Sequence, residues 1–218
     1  FHFLLFEDGL VEWAQFFVYA AACVAAVGVT LRLNRLGLRR QALLYAAFAF
    51  GMFFIAGEET AWGQRILGLT TTPALSAINK QDEFTLHNIA PVQATFNFLM
   101  LIVSGYGSAA YLANRRLEPK APYGRVGRRL EQADYLLVPP FFVSSTFMVT
   151  FVYKVIRFTL IPESGYTVTR YGEWPELCLA LGFFSLAYLN HRRLAAQARR
   201  TAQGLEVSAV ALAAVKEI

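Results

Sequence analysis

The sequence predicts an all-α polytopic membrane protein with about five transmembrane helices, N-terminus outside and C-terminus cytoplasmic. Three observations carry this. Of 218 residues, 56% are hydrophobic and only 16% are charged, against about 25% charged in soluble domains. The charges gather between long apolar runs, and the Lys and Arg residues gather in alternate connections.

A spanning helix needs about 20 mostly apolar residues, and five segments qualify. The first covers residues 10–33, where AAACVAAVG offers small side chains for close helix contact. The second starts near Gln41 and is apolar to Gly57, with a helical pattern expected to continue through Trp62 to Leu69. The third starts at Pro91, a good first-turn residue, and ends near Asn114. The fourth covers residues 135–161, with Pro139 and Pro140 in its first turns. The fifth starts near Pro175 and ends at His191, Arg192 and Arg193. Residues 1–193 thus form a transmembrane bundle with a polar loop at 58–90. Residues 194–218 form an Ala-rich cytoplasmic helical tail whose apolar run is too short to span.

The connections set the orientation. Arg32, Arg35, Arg39 and Arg40 follow the first helix, six more cations at 115–129 follow the third, and five lie at 192–216. By the positive-inside rule this side is cytoplasmic. It carries fifteen cations and five acids, a net +10, which leaves −5 outside for the stated total of +5. The basic balance therefore reflects membrane orientation and contact with anionic lipid, and nucleic acid is excluded as a partner. Cys23 and Cys178 both lie in apolar runs and read as small buried residues. The absence of an initiator Met leads us to expect a processed or trimmed chain, with no signal-peptide pattern in it.

The chemistry gathers at residues 57–88. Glu58 and Glu59 end the second apolar run, where ionisable groups face the bundle interior and need partners. On a continued helix Glu58, Trp62 and Arg65 share one face. Glu83 and His87 are four apart and on a helical turn point the same way. Glu7, Asp8 and Glu12 precede or open the first helix, Glu173 and Glu176 open the fifth, and Asn88 closes the loop. One reading is a divalent metal site with Glu58, Glu59, Glu83 and His87 as ligands, since carboxylates with one imidazole suit Zn, Mn or Fe. Another makes Glu58 or Glu59 a general base. The preferred reading is a structural network. Lys154 and Arg157 lie near the outer end of the fourth helix, against the positive-inside trend. Their counter-charges would come from Glu58, Glu59, Glu12 or Glu176. Trp13, Trp62 and Trp174 read as an interfacial aromatic belt. No HExxH, phosphate loop or nucleophile elbow is present.

EDGxxEW from Glu7 to Trp13, GEExxWGQR from Gly57 to Arg65 and NxQxExxLHN from Asn79 to Asn88 together resemble a family of uncharacterised bacterial and archaeal multi-spanning membrane proteins. The usual form there is GEEISWGQR; here Thr60 and Ala61 replace Ile-Ser, and Thr72-Pro73 supplies the following TP. The resemblance covers roughly the first 90 residues, with a looser echo at 173–182. It implies that Glu58, Glu59, Gln64, Arg65, Glu83 and His87 belong to one shared pattern, and it brings no activity.

The expected function is a non-enzymatic accessory or scaffolding subunit of a larger complex in the bacterial inner membrane, with the lipid bilayer and other membrane subunits as partners. The rival is a metal-dependent hydrolase or transferase at the outer interface. A transporter with an acidic vestibule ranks third, because five spans show no repeat.

Overall fold

The computed structural model describes residues 9–79, 82–117, 136–160 and 172–216. They form α1 (Leu10–Arg35), α2 (Arg39–Glu59), two four-residue helices α3 (Gln64–Leu67) and α4 (Pro73–Ser76), α5 (Ala90–Leu117), α6 (Phe141–Thr159) and α7 (Glu173–Lys216). No strand occurs among the described residues; Asn79 and Ile89 make an isolated antiparallel bridge. Four helices, α1, α2, α5 and α6, are long and apolar enough to cross a membrane. The expected fifth segment lies in α7, which runs unbroken from Glu173 to Lys216, so the expected tail continues the same helix.

The long helices pack in the order α2, α1, α7, α6, α5. The α1 stripe Val11, Gln15, Tyr19, Ala22, Ala26, Val29 and Leu33 is buried. Its spacings of three and four are those of a helix seam, and its alanines let neighbouring backbones approach closely. The α2 stripe Ala42, Tyr45, Ala49, Met52 and Ala56 answers it with the same spacing. The expectation of close contact from the small-residue run holds.

Phe147 joins the other half of the bundle. It is buried on α6, and its ring sits edge-on to Phe183, 5.6 Å between centroids. A Cβ at Gly107 on α5 would lie 2.3 Å from that ring, and one at Gly182 on α7 would lie 2.9 Å from it. Two glycines thus form the socket for one phenyl ring between three helices.

Two helix boundaries depart from expectation. α6 begins at Phe141, after Pro139 and Pro140 rather than around them. A proline disfavours helical geometry in the residue before it, and Pro140 is extended at ψ 155°. The Leu136 carbonyl is left outside helical pairing, and it accepts from Tyr45 OH at 2.7 Å and from Asn190 Nδ2 at 3.2 Å. The second correction is α2, which stops at Glu59 instead of reaching Leu69.

Replacing Phe147 with Ala is expected to cost about 3 kcal/mol or more by emptying this socket. Thermal unfolding in mild detergent measures it. Phe142→Ala, at an outward-facing position 66% exposed, is expected to stay within about 0.5 kcal/mol of the parent.

Candidate functional site

The end of α2 is built to reverse direction at once. Ala61, Trp62 and Gly63 have φ of 45°, 53° and 80°, three consecutive residues in the left-handed region. Each non-glycine there costs roughly 1–2 kcal/mol, and Gly63 relieves the third position. The turn swings the Trp62 indole back over the last turn of α2. A Cβ at Gly57 would lie 2.7 Å from the indole ring, so only glycine leaves room. Phe53 and Phe54 flank the indole at 5.9 and 5.5 Å between centroids. Thr60 Oγ1 donates to the Gly57 carbonyl at 3.2 Å, satisfying part of the frayed helix end. Local propensity extends the helix; the packing and hydrogen bonding of Trp62 end it.

Glu58 is the focus of this turn. Its side chain is 4% exposed. Trp62 Nε1 donates to Oε1 at 2.7 Å. Oε2 accepts from the Leu86 amide at 2.7 Å and the His87 amide at 2.9 Å, with His87 Nδ1 3.1 Å away and placed to donate. Four N–H groups thus saturate one carboxylate, with bonds roughly twice as strong as neutral ones. Glu58 and Trp62 do face each other as the i, i+4 spacing suggests, although through a turn and not a helix.

The segment at 82–89 that docks on Glu58 is itself knotted by Asn79. Asn79 Nδ2 donates to the carbonyls of Glu83 at 2.9 Å and Thr85 at 2.7 Å. Asn88 Nδ2 donates to Glu83 Oε2 at 3.1 Å and Thr85 Oγ1 at 2.9 Å. Gln64 bridges from α3: its Nε2 donates to Thr71 Oγ1 at 2.8 Å and its Oε1 accepts from the Phe84 amide at 2.6 Å. Asn79, Glu83, Thr85 and Asn88 are all buried. The expected helical turn carrying Glu83 and His87 together does not form. The segment is a series of bends, so Glu83 turns to Asn88 and His87 turns to Glu58.

A second polar layer joins α1, α2, α5, α6 and α7. Lys154, 5% exposed, donates to Glu176 Oε1 at 3.1 Å and to Asn97 Oδ1 at 2.7 Å. The expected counter-charge for Lys154 is therefore Glu176. Arg157 differs: among the described residues its buried Nη1 has no hydrogen-bond partner. Gln15 on α1 donates to the Glu173 backbone carbonyl at 2.8 Å and to Glu173 Oε2 at 3.2 Å. Glu59 lies in the field of Glu176, Glu173, Glu12 and Glu58. Thr150 Oγ1 donates to the Pro175 carbonyl, an acceptor at the first turn of α7.

The structure thus brings Glu58 to His87, Gln64 to the 82–84 backbone, Glu83 to Asn88 and Lys154 to Glu176, while Glu12 and Glu59 join the second layer. Glu7 and Asp8, and the side chain of Arg65, lie outside the described residues. Among the described residues no three His, Cys, Asp or Glu side chains are grouped so as to hold a metal ion. Gln15 and Asn97 escaped the sequence reading. Gln15 had a signal, since it shares the Glu12 and Tyr19 face of α1 at three- and four-residue spacing. Asn97 had none beyond polarity.

No family model, no curated protein and no solved structure matches the chain. The arrangement therefore speaks through its own chemistry.

The His87 ring is partly buried, which alone lowers its pKa. The hydrogen bond and charge of Glu58, then the charges of Glu176 and Glu83, outweigh burial and raise it above the ordinary 6.5. The charged form of the ring is thus favoured beside Glu58. Its contribution to loop docking is complete below about 6.5 and is lost as pH rises through the folded value. NMR titration of the His87 ring is expected to give a pKa above 6.5 in the parent and a lower one in Glu58→Gln. Gly57→Ala is expected to push the indole off the helix and break its bond to Glu58, seen as a red shift of Trp62 fluorescence in a Trp13→Phe, Trp174→Phe background.

Proposed function

We propose that this chain is a non-enzymatic accessory or scaffolding subunit of a larger complex in the bacterial inner membrane. In this reading it spans five times, with α7 as the fifth span, the N-terminus and the Glu58 end outside and the C-terminus in the cytoplasm. The charge asymmetry across the connections supports the orientation. The four long apolar helices are consistent with a multi-pass integral membrane protein. The motif resemblance is carried within the same proposal.

The observation that supports the scaffolding role is the saturation of Glu58. A carboxylate that already accepts four N–H bonds is a poor base, because proton transfer to it would sacrifice those bonds. It is a poor metal ligand for the same reason. Glu83 is engaged by Asn88, and both oxygens of the Gln15–Glu173 pairing belong to interhelical contact. The polar groups at this end hold elements to one another. They give a rigid outer cap of the kind a docking partner recognises without rearrangement. The metal-dependent hydrolase or transferase draws on Glu58, Glu59, Glu83 and His87; here Glu58 and His87 bond to each other, while Glu83 is bonded by Asn88.

Extraction in membrane-scaffolding polymer followed by native mass spectrometry tests the proposal. The expected result is a second membrane subunit at fixed stoichiometry. A chain that emerges only alone, or that carries stoichiometric zinc, manganese or iron lost on Glu83→Gln, contradicts it.

A further inference from the structure

The side chains at 60–89 are distributed the wrong way round for a loop in water. Gln64, Asn79, Glu83, Thr85 and Asn88 are buried, whereas Trp62, Ile66, Leu67, Leu69 and Leu86 are exposed, Ile66 at 66% and Leu67 at 69%. Of the acids described in this segment, Glu83 is buried and Asp82 is exposed. Single exposed apolar residues are ordinary, and grouped ones mark a surface that something covers. These are grouped. Ile66 and Leu67 end α3, and Leu69 follows it. Trp62 and Leu86 are tied to one carboxylate, since the Trp62 indole donates to Glu58 Oε1 and the Leu86 amide to Oε2.

The position of the indole says what covers them. It packs on Phe53 and Phe54, 5.9 and 5.5 Å between centroids, so the chain has come back along α2. Phe53 precedes the α2 end at Glu59 by six residues, about 9 Å of helix. It belongs to a helix long and apolar enough to span, on an exposed stripe with Leu43 and Phe50 at helical spacing. In a bilayer that stripe faces acyl chains, and Trp62 extends it without a break. A tryptophan settles at the headgroup boundary. α3 starts only two residues later, at Gln64, and two residues reach at most about 7 Å.

We propose that residues 62–69 are an interfacial lipid anchor, with Ile66, Leu67 and Leu69 set among the upper acyl chains of the phospholipid leaflet at the Glu58 end of the bundle. Lipid offers a backbone no hydrogen bonds, and irregular chain at that depth must be satisfied by protein. The inward polar side chains do this. Gln64 accepts from the Phe84 amide, Asn79 donates to the Glu83 and Thr85 carbonyls, and Glu58 accepts from the Leu86 and His87 amides. One face of the segment is thus left for lipid, as in helices that lie in the interface plane. The inference depends on insertion of the apolar helices and not on whether the chain serves as a subunit.

The test uses the full chain alone in phosphatidylcholine vesicles, with Cys23→Ala and Cys178→Ala removing the free thiols. A nitroxide is attached at Leu67→Cys, Leu69→Cys or Asp82→Cys, and its power saturation is read with oxygen, which concentrates in acyl chains, and with a nickel chelate, which stays in water. At 67 and 69 oxygen is expected to relax the label more than the chelate does, and at 82 the order is expected to reverse. Chelate collisions at 67 and 69 equal to those at 82 overturn the anchor. The vesicles hold no second protein, so that result would leave the surface to a protein partner or to water. Should the thiol-free chain fail to fold, Trp62 emission in a Trp13→Phe, Trp174→Phe background decides. Loss of most of it in vesicles of phosphatidylcholine brominated high on the acyl chain supports the anchor, and emission unchanged by the bromolipid overturns it.

Discussion

A single carboxylate at the end of α2 accepts from an indole, two backbone amides and an imidazole, and the structure around residues 57–89 follows from that demand. The indole reaches Glu58 only if α2 stops and the chain turns left-handed at residues 61–63. That turn brings Trp62 over Gly57, and α3 then starts in the direction that lets Gln64 meet the backbone of residues 82–84. The two amides reach Glu58 only if the 82–89 segment is held in bends, which the Asn79 and Asn88 side chains accomplish. The strain of left-handed Ala61 and Trp62, of order 2–4 kcal/mol together, is balanced by bonds to a charged group worth about 1.5–3 kcal/mol each.

The second polar layer has a different character. Among the described residues Glu58 is satisfied, whereas Gln15 Oε1 and Arg157 Nη1 are not. A bundle of apolar helices gains little from burying apolar surface once lipid surrounds it, so packing and polar contacts must set helix positions. Lys154 with Glu176 and Asn97 fixes α6 against α7 and α5, and Gln15 with Glu173 fixes α1 against α7. The phenyl of Phe147 between Gly107 and Gly182 performs the corresponding task by shape alone.

Much of this was legible in the sequence where periodicity or membrane physics governs. The extents of α1 and α5, the small-residue seam of α1 and the need of Lys154 for a carboxylate all follow from spacing, length and charge. The legible part ended where one long-range bond overrides local preference. Nothing in GEETAWGQR says that the helix stops at Glu59, because its residues suit a helix and the acceptor role of Glu58 depends on amides 28 and 29 positions away. The pairing of Glu83 and His87 failed for the same reason: four-residue spacing matters only in a helix, and Asn79 prevents one. Gln64 carried a signal only as a member of the Gly57–Arg65 pattern, and its contact with Phe84 is invisible to any local rule.

Hydrogen exchange at the backbone amides of Leu86 and His87 measures the central interaction directly. If Glu58 pins the loop, both amides are protected in the parent and exchange at least tenfold faster in Glu58→Gln, while amides in the middle of α1 and α2 are unchanged. Equal exchange at Leu86 and His87 in the two proteins would contradict the account.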